Sequence, residues 1–302
     1  MPRSHLACAM VTPFTRNGGL DLPGTQHLAA ALVDEGGCDG LVVGGTTGES
    51  PTTSDAEKTA VVQAVAEAVG GRARIVAGVG SNDTRHAIAL AHAAEKAGAH
   101  ELLVVTPYYS RPPQEAVEAH FRMVADAVGI PLMLYDIPVR TGVALSYDTL
   151  CRLAEHPRVT GVKDCAYDLM KSARTMAATG LAYHSGCDEL NLPLRAIGAA
   201  GCVSTVANVA AREVRGVLDA YDAGDPDEAA RRHLALTPLI DAMMSRLPGT
   251  VTAKALLGTL GRPGGPVRPP LFEADATVEA GLADAYASAT CSTSPLPAQP
   301  VG

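Results

Sequence analysis

Eight short, mostly continuous apolar runs punctuate the first two thirds of the chain, and each is followed by a stretch with helical spacing. The runs lie at residues 5–14, 39–45, 74–80, 101–107, 131–137, 159–164, 181–186 and 201–205. Continuous rather than alternating apolar character is expected of parallel strands covered on both faces. The intervening stretches are Ala-rich. One, Ser54–Val69, opens with Ser54 and Glu57 in the spacing of a capping box, and another covers Asn82–Ala97. Eight β/α units without a ninth predict an α/β protein of the (β/α)8 TIM-barrel type. A doubly wound open sheet normally has fewer strands, and no G-x-G-x-x-G follows the first run.

After Thr205 the strand pattern stops. Residues 210–223, 225–247, 250–260 and 273–288 read as helices, separated by Pro/Gly breaks. The expected organisation is a catalytic barrel over 1–224, a C-terminal helical extension over 225–290 and a disordered Ser/Pro-rich tail over 291–302.

Composition narrows the class. The chain has 302 residues, 47% of them hydrophobic, enough for a large core, and its net charge of −8 argues against a nucleic-acid surface. With no Trp and three Phe, the core falls to Ala, Val and Leu. No apolar run reaches the roughly 18 residues of a membrane span. Residues 1–9 are too short an apolar run for a signal peptide, and seven cysteines without a C-x-x-C pair fit a reducing cytoplasm. Cytoplasmic localisation is the expectation.

The chemistry gathers after the strands, where barrels of this type keep their reactive groups. Of the five lysines, Lys58, Lys96, Lys171 and Lys254 lie in helical contexts that read as solvated. Only Lys163 interrupts a strand pattern, with Asp164 beside it as an available partner. A buried ammonium must be paired or lose its proton, and holding it neutral at pH 7 needs a depression of about three units, roughly 4 kcal/mol. Strand 2 ends in Gly44-Gly45-Thr46-Thr47-Gly48-Glu49-Ser50, whose backbone N–H groups can approach an anion. Strand 4 ends in Thr106-Pro107-Tyr108-Tyr109-Ser110-Arg111, and strand 5 in Tyr135-Asp136-Ile137-Pro138-Val139-Arg140-Thr141-Gly142. Amine, phenols, hydroxyls and guanidinium at one rim suit imine catalysis, in which a neutral amine attacks a ketone and a phenol moves the protons. Metal-assisted aldol chemistry would need a His/carboxylate cluster, yet the nine histidines show no H-x-x-x-H spacing. G-x-S-x-G is also absent.

These motifs, with Gly161-Val162-Lys163-Asp164, Val203 and Ala207-Asn208-Val209-Ala210, resemble the dihydrodipicolinate synthase / N-acetylneuraminate lyase family of class I aldolases from Leu6 to about Leu282. The resemblance implies a TIM barrel with a C-terminal helical domain, assembled as a homotetramer or dimer. Lys163 would form the Schiff base with pyruvate, with no cofactor and no metal, beside the phenol of Tyr135. Thr46 would link Tyr135 to Tyr109 of the neighbouring subunit in a proton relay. Thr47 would bind the pyruvate carboxylate, and the Val203 carbonyl would face the intermediate. Arg140 stands where synthase members hold the carboxylate of L-aspartate-4-semialdehyde, which favours the synthase reaction of the diaminopimelate/lysine route. The alternative is another pyruvate-dependent aldolase or lyase acting on a different aldehyde. A barrel used only as a carboxylate sensor is a third reading, distinguished by whether borohydride traps an imine. Asp136 and Cys165-Ala166 depart from the family pattern. In members inhibited by lysine, the effector positions correspond to Ser50, Pro51, Asp55, Lys58, Asn82, His86 and Tyr108. His86 stands where a glutamate would meet the effector's cation, and Lys58 where a histidine is usual.

Overall fold

The computed structural model describes residues 5–291. Eight parallel strands close into a barrel in sequence order: β1 (Leu6–Ala9), β2 (Gly40–Val43), β3 (Arg74–Gly78), β4 (Glu101–Val105), β5 (Leu132–Asp136), β6 (Val159–Asp164), β7 (Ala182–Ser185) and β8 (Gly201–Ser204). The seam is sealed by Ala7 opposite Gly40 on one side and opposite Val203 on the other. This is the (β/α)8 barrel read from the apolar runs.

The helices between strands are α1 (Leu22–Asp34), α2 (Asp55–Val69), α3 (Thr84–Lys96), α4 (Gln114–Ala127), the short α5 (Pro138–Thr141), α6 (Tyr147–Ala154), α7 (Leu169–Ala178) and α8 (Asn191–Ala196). Side chains start many of them. Asp21, Ser54, Asp83, Ser146, Asp168 and Asp225 each accept a hydrogen bond from a first-turn amide, worth about 1 kcal/mol apiece. The Ser54/Glu57 capping box forms in full.

Two apolar layers result. Ala7, Val42, Val76, Leu103, Met133 and Val203 fill the barrel interior. Outward-facing strand residues such as Leu41, Ile75, Leu102 and Leu134 meet the helices. The strand nearest the N-terminus ends at Ala9, earlier than its apolar run. Beyond it Met10 N–H donates to the Val42 carbonyl (3.0 Å), and Val11 N–H to the Asn208 side chain (3.0 Å). The same Asn208 amide donates to the Ala9 carbonyl (2.8 Å), stitching the exit of β8 to the exit of β1. Helix α9 (Ala207–Asp222) therefore begins three residues before its periodic pattern and is kinked at Ala210.

Beyond α9 come α10 (Pro226–Met244), α11 (Gly249–Thr259) and α12 (Ala276–Cys291). Helix α10 packs on α9 and α12, and all three contribute buried apolar side chains, among them Leu239, Leu256 and Leu282, to the outer layer. Of the tail read from the sequence, Cys291 ends α12 and the rest lies outside the described residues. Among the described residues no helix is long and apolar enough to cross a membrane.

Candidate active site

Lys163 is the fifth residue of β6, in register with Tyr135 on β5 and His184 on β7. Its side chain is 5% exposed, with Nζ 4.5 Å from the centre of the Tyr135 ring. Burial holds the amine below the ordinary lysine range. Among the described residues no carboxylate lies within ion-pair distance of it. Asp164 points elsewhere, accepting from Ser172 Oγ and from the Ala166 N–H (2.8 Å). The adjacent carboxylate is thus spent on the start of the next loop, and the lysine is left to desolvation. Gly186 is needed beside it, because a Cβ there would lie 2.8 Å from Lys163 Cε.

Tyr135 is buried, and burial drives its phenol well above the ordinary range. Thr46 and Cys165 line the same cavity, Thr46 pulling the phenol down and Cys165 pushing it further up. Thr47 is buried next door, its hydroxyl 3.2 Å from that of Thr205. Lys163, Tyr135, Thr46, Thr47 and Arg140 all line one cavity of about 530 Å³. Arg140, in α5, is exposed to it, and among the described residues no carboxylate pairs with its guanidinium. The cavity therefore combines a desolvated amine, a phenol–hydroxyl pair and an uncommitted cation.

Two expected residues stand apart. The Val203 side chain lies on the barrel floor and lines a smaller cavity of about 200 Å³ beneath the first, with Arg74, Glu101 and His184. Tyr109 is 90% exposed on the loop after β4, with a left-handed φ of 71°, and this chain's own fold does not bring it into the cavity.

Three of the four lysines read as solvated are not. Lys171 is mostly buried and pairs with Asp136 at 2.8 Å, so the aspartate that departs from the family pattern has its own counter-charge. Burial still pushes the Asp136 carboxyl up, against the pull of Lys171. Lys254, 3% exposed, pairs with Glu49 at 2.5 Å. Lys58 is partly buried and donates to the Thr53 carbonyl. The helical patterns around them gave no sign of partners 35 and 205 residues away.

Other contributors also escaped sequence reading. Asp188 is fully buried and accepts from the Ser204 hydroxyl and from the Thr205 and Val206 amides (3.0 and 3.1 Å), fixing the loop after β8. Thr237, Ile240, Asp241 and Met244 of α10, with Gly249 and Thr250 of α11, form a wall of the cavity. The C-terminal helices are part of the site, not an appendage to it. A second cavity of about 460 Å³ shares Thr46, Tyr135 and Arg140 with the first and extends to Ser50, Pro51, Asp55, Lys58, His86 and Tyr108. Asn82 does not line it. There His86 Nε2 meets Asp55 Oδ2 at 2.9 Å. Among the described residues no group of three His, Cys, Asp or Glu side chains is placed to hold a metal ion.

Comparison with known proteins gives one answer. The chain is 64% identical over 286 residues to 4-hydroxy-tetrahydrodipicolinate synthase 1 of Streptomyces coelicolor, covering 94% of this chain and 93% of that protein. It is 54% identical over 288 residues to the 4-hydroxy-tetrahydrodipicolinate synthase of Acidothermus cellulolyticus, covering 95% and 93%. The crystal structure of the Cyanidioschyzon merolae dihydrodipicolinate synthase with lysine bound superposes with a TM-score of 0.92 at 38% identity, covering 95% of this chain and 98% of that one. Residues 3–287 match the sequence pattern of the Dihydrodipicolinate synthetase family, and the chain belongs to that family.

Proposed function

We propose that this chain condenses pyruvate with L-aspartate-4-semialdehyde to form 4-hydroxy-tetrahydrodipicolinate, through a Schiff base on Lys163. The observation that carries the reading is a lysine buried against Tyr135 with no carboxylate partner among the described residues. Desolvation favours its neutral, nucleophilic form. The relatives quoted above, at 54–64% identity, carry the name of this synthase.

In this mechanism Nζ attacks the C2 carbonyl of pyruvate, and the resulting carbinolamine loses water. The Tyr135 phenol, its high pKa keeping it protonated, donates a proton to the departing oxygen. The iminium then loses a C3 proton to give the enamine. The enamine carbon bonds to the aldehyde carbon of the semialdehyde, whose oxygen takes up a proton. The semialdehyde's own amine next displaces Lys163 by transimination, closing the ring and freeing the lysine. The electron sink is the protonated imine itself, so the scheme calls for no metal or other cofactor. Thr47 and its backbone receive the pyruvate carboxylate, the Val203 carbonyl faces the intermediate, and Arg140 receives the carboxylate of the second substrate in a charge-assisted contact.

Thr46 relays protons between Tyr135 and Tyr109 of the partner subunit in a homo-oligomer, a dimer or tetramer. The shared cavity wall of Tyr135 and Thr46 and the projection of Tyr109 into solvent support this reading. Residues 1–224 act as the catalytic barrel and 225–290 as a helical unit that walls the site. The enzyme works in the cytoplasm, in keeping with seven cysteines that are all free thiols.

The test is pyruvate with borohydride, followed by peptide mapping and steady-state assay against a panel of aldehydes. One reduced pyruvyl group on Lys163 and turnover of the semialdehyde are expected. An adduct on Lys254, or none, overturns the imine mechanism. An adduct with turnover only of other aldehydes moves the chain to a different pyruvate aldolase.

A further inference from the structure

Two cysteines meet in the cavity wall beside Lys163. Cys165 is the first residue past β6 and Cys187 the second past β7. Asp164 is in register with Ser185, and the Gly186 N–H donates to the Asp164 carbonyl at 2.8 Å, so Cys165 stands alongside Gly186. Cys187 follows Gly186 directly, and a Cβ built on Gly186 would lie 2.4 Å from Cys165 Sγ, so the Cys165 sulfur rests against the backbone that carries Cys187. The Ser185 hydroxyl donates to the Cys187 carbonyl (2.7 Å) and shapes the turn. Both cysteines belong to one buried apolar cluster with Tyr135. Both line the 530 Å³ cavity with Lys163, so a small reagent reaches them by the substrate's route although each is largely buried. Cys8 and Cys38 share the outer buried cluster, but neither lines that cavity, which makes them an internal control.

We propose that Cys165 and Cys187 form a reversible oxidation site whose disulfide shuts off imine formation at Lys163. This goes beyond the aldolase reading, and only its second half, the block, rests on it. Cys187 is the attacking sulfur. The neighbouring Cys165 thiol holds the Cys187 thiol below its ordinary range, whereas the Cys165 thiol is pushed well up. With hydrogen peroxide as oxidant, the Cys187 thiolate attacks one peroxide oxygen and becomes a sulfenic acid, and the other oxygen leaves as hydroxide and is protonated to water. The Cys165 sulfur then displaces the sulfenic oxygen as a second water. Each sulfur loses one electron and the peroxide gains two. Drawing the sulfurs together moves Cys165 Sγ, which rests against Gly186 beside Lys163 Cε. It also shifts Gly186, whose Cα faces Cys165 Sγ and Lys163 Cε together.

The experiment uses the reduced full-length chain, treated with hydrogen peroxide, alkylated and mapped without reductant. Expected are a cross-linked peptide pair joining Cys165 to Cys187, two hydrogens lighter than the parts, and loss of the borohydride-trapped pyruvyl group on Lys163. Dithiothreitol restores trapping. Cys187→Ser forms no cross-link and keeps its pyruvyl group through the same treatment. Free, alkylated Cys165 and Cys187 after peroxide, or cross-links confined to other cysteines, overturn the pair. A cross-link that leaves trapping intact overturns the block. If the reduced enzyme takes up no pyruvate at all, the aldolase reading fails and the block with it, while the thiol map still decides the pair.

Discussion

Lys163 and Lys254 are buried almost equally, 5% and 3% exposed, and each ammonium nitrogen sits over an aromatic ring, Tyr135 at 4.5 Å and Phe14 at 4.1 Å. Their surroundings differ in one respect. Lys254, on α11, meets the Glu49 carboxylate at 2.5 Å and donates to the Pro266 carbonyl at 2.8 Å. Lys163, at the barrel mouth, meets no carboxylate among the described residues and faces an open cavity. Burial alone therefore does not mark a reactive lysine. The missing counter-ion is what sets Lys163 apart, since Lys254 also lines a cavity, of about 660 Å³. The paired lysine has a structural use instead. Glu49 is the residue after Thr46-Thr47-Gly48 and holds a left-handed φ of 57°. Its carboxylate, gripped by Lys254 and by the Arg268 N–H (2.8 Å), anchors the loop that carries both threonines.

The comparison is broken most directly at Lys163. Lys163→Ala is expected to abolish pyruvate trapping and reduce turnover to background while leaving a folded barrel, as circular dichroism and mass spectrometry would report. Trapping that persists on another lysine would show that the absent counter-ion is not the criterion. Lys254→Met should do the reverse, keeping the Lys163 adduct in the folded fraction while costing about 3–5 kcal/mol of stability by stranding the buried Glu49 carboxylate. Denaturant unfolding measures this, and Glu49→Gln combined with Lys254→Met should recover part of the loss. Equal loss of trapping and stability in the single variant would refute the division of labour.

Arg140 sharpens the comparison as a third cation, exposed to the cavity and unpaired among the described residues. Arg140→Ala should raise the KM for the semialdehyde roughly tenfold to hundredfold, about 1.4–2.8 kcal/mol, with a much smaller effect on pyruvate. Equal penalties would make it a residue of the fold or of an interface.

pH separates the two lysines more gently. Desolvation lowers the Lys163 pKa, so pyruvate trapping should rise with pH and level off below 10.5, its ordinary value. Lys254 is brought down to about 8, chiefly by desolvation and against the pull of Glu49. Between about 8 and 10.5 the unfolded chain then holds more protons than the folded one, so this group makes stability rise with pH across that window. The rise should flatten in Lys254→Met. An unchanged slope would mean that Lys254 keeps its proton throughout. The smallest expected effect is that of L-lysine. At the second cavity His86 is engaged with Asp55, and Lys58 adds a cation to the lining. We propose an enzyme insensitive to lysine below about a millimolar, a loss of at least about 2 kcal/mol in effector binding. A dose–response curve with half-inhibition under that concentration would refute it.

The barrel was legible because its causes are local. Continuous apolar runs become strands covered on both faces, Ser54 and Glu57 cap their own helix, and a strand-to-helix order brings each strand end to the same rim. For that reason Lys163, Tyr135, Thr46, Thr47 and Arg140 could be assigned to one rim from their positions alone, and the structure gathers all five in one cavity. Pairing was not legible. Lys171 with Asp136 and Lys254 with Glu49 are contacts between segments far apart in the chain. A lysine on an Ala-rich helix has the same local pattern whether it faces water or a carboxylate. The sequence by itself determined which residues stand at the strand ends. Only the tertiary structure decided which buried charges are neutralised, because Coulombic and desolvation energies depend on distance in space and not on separation along the chain.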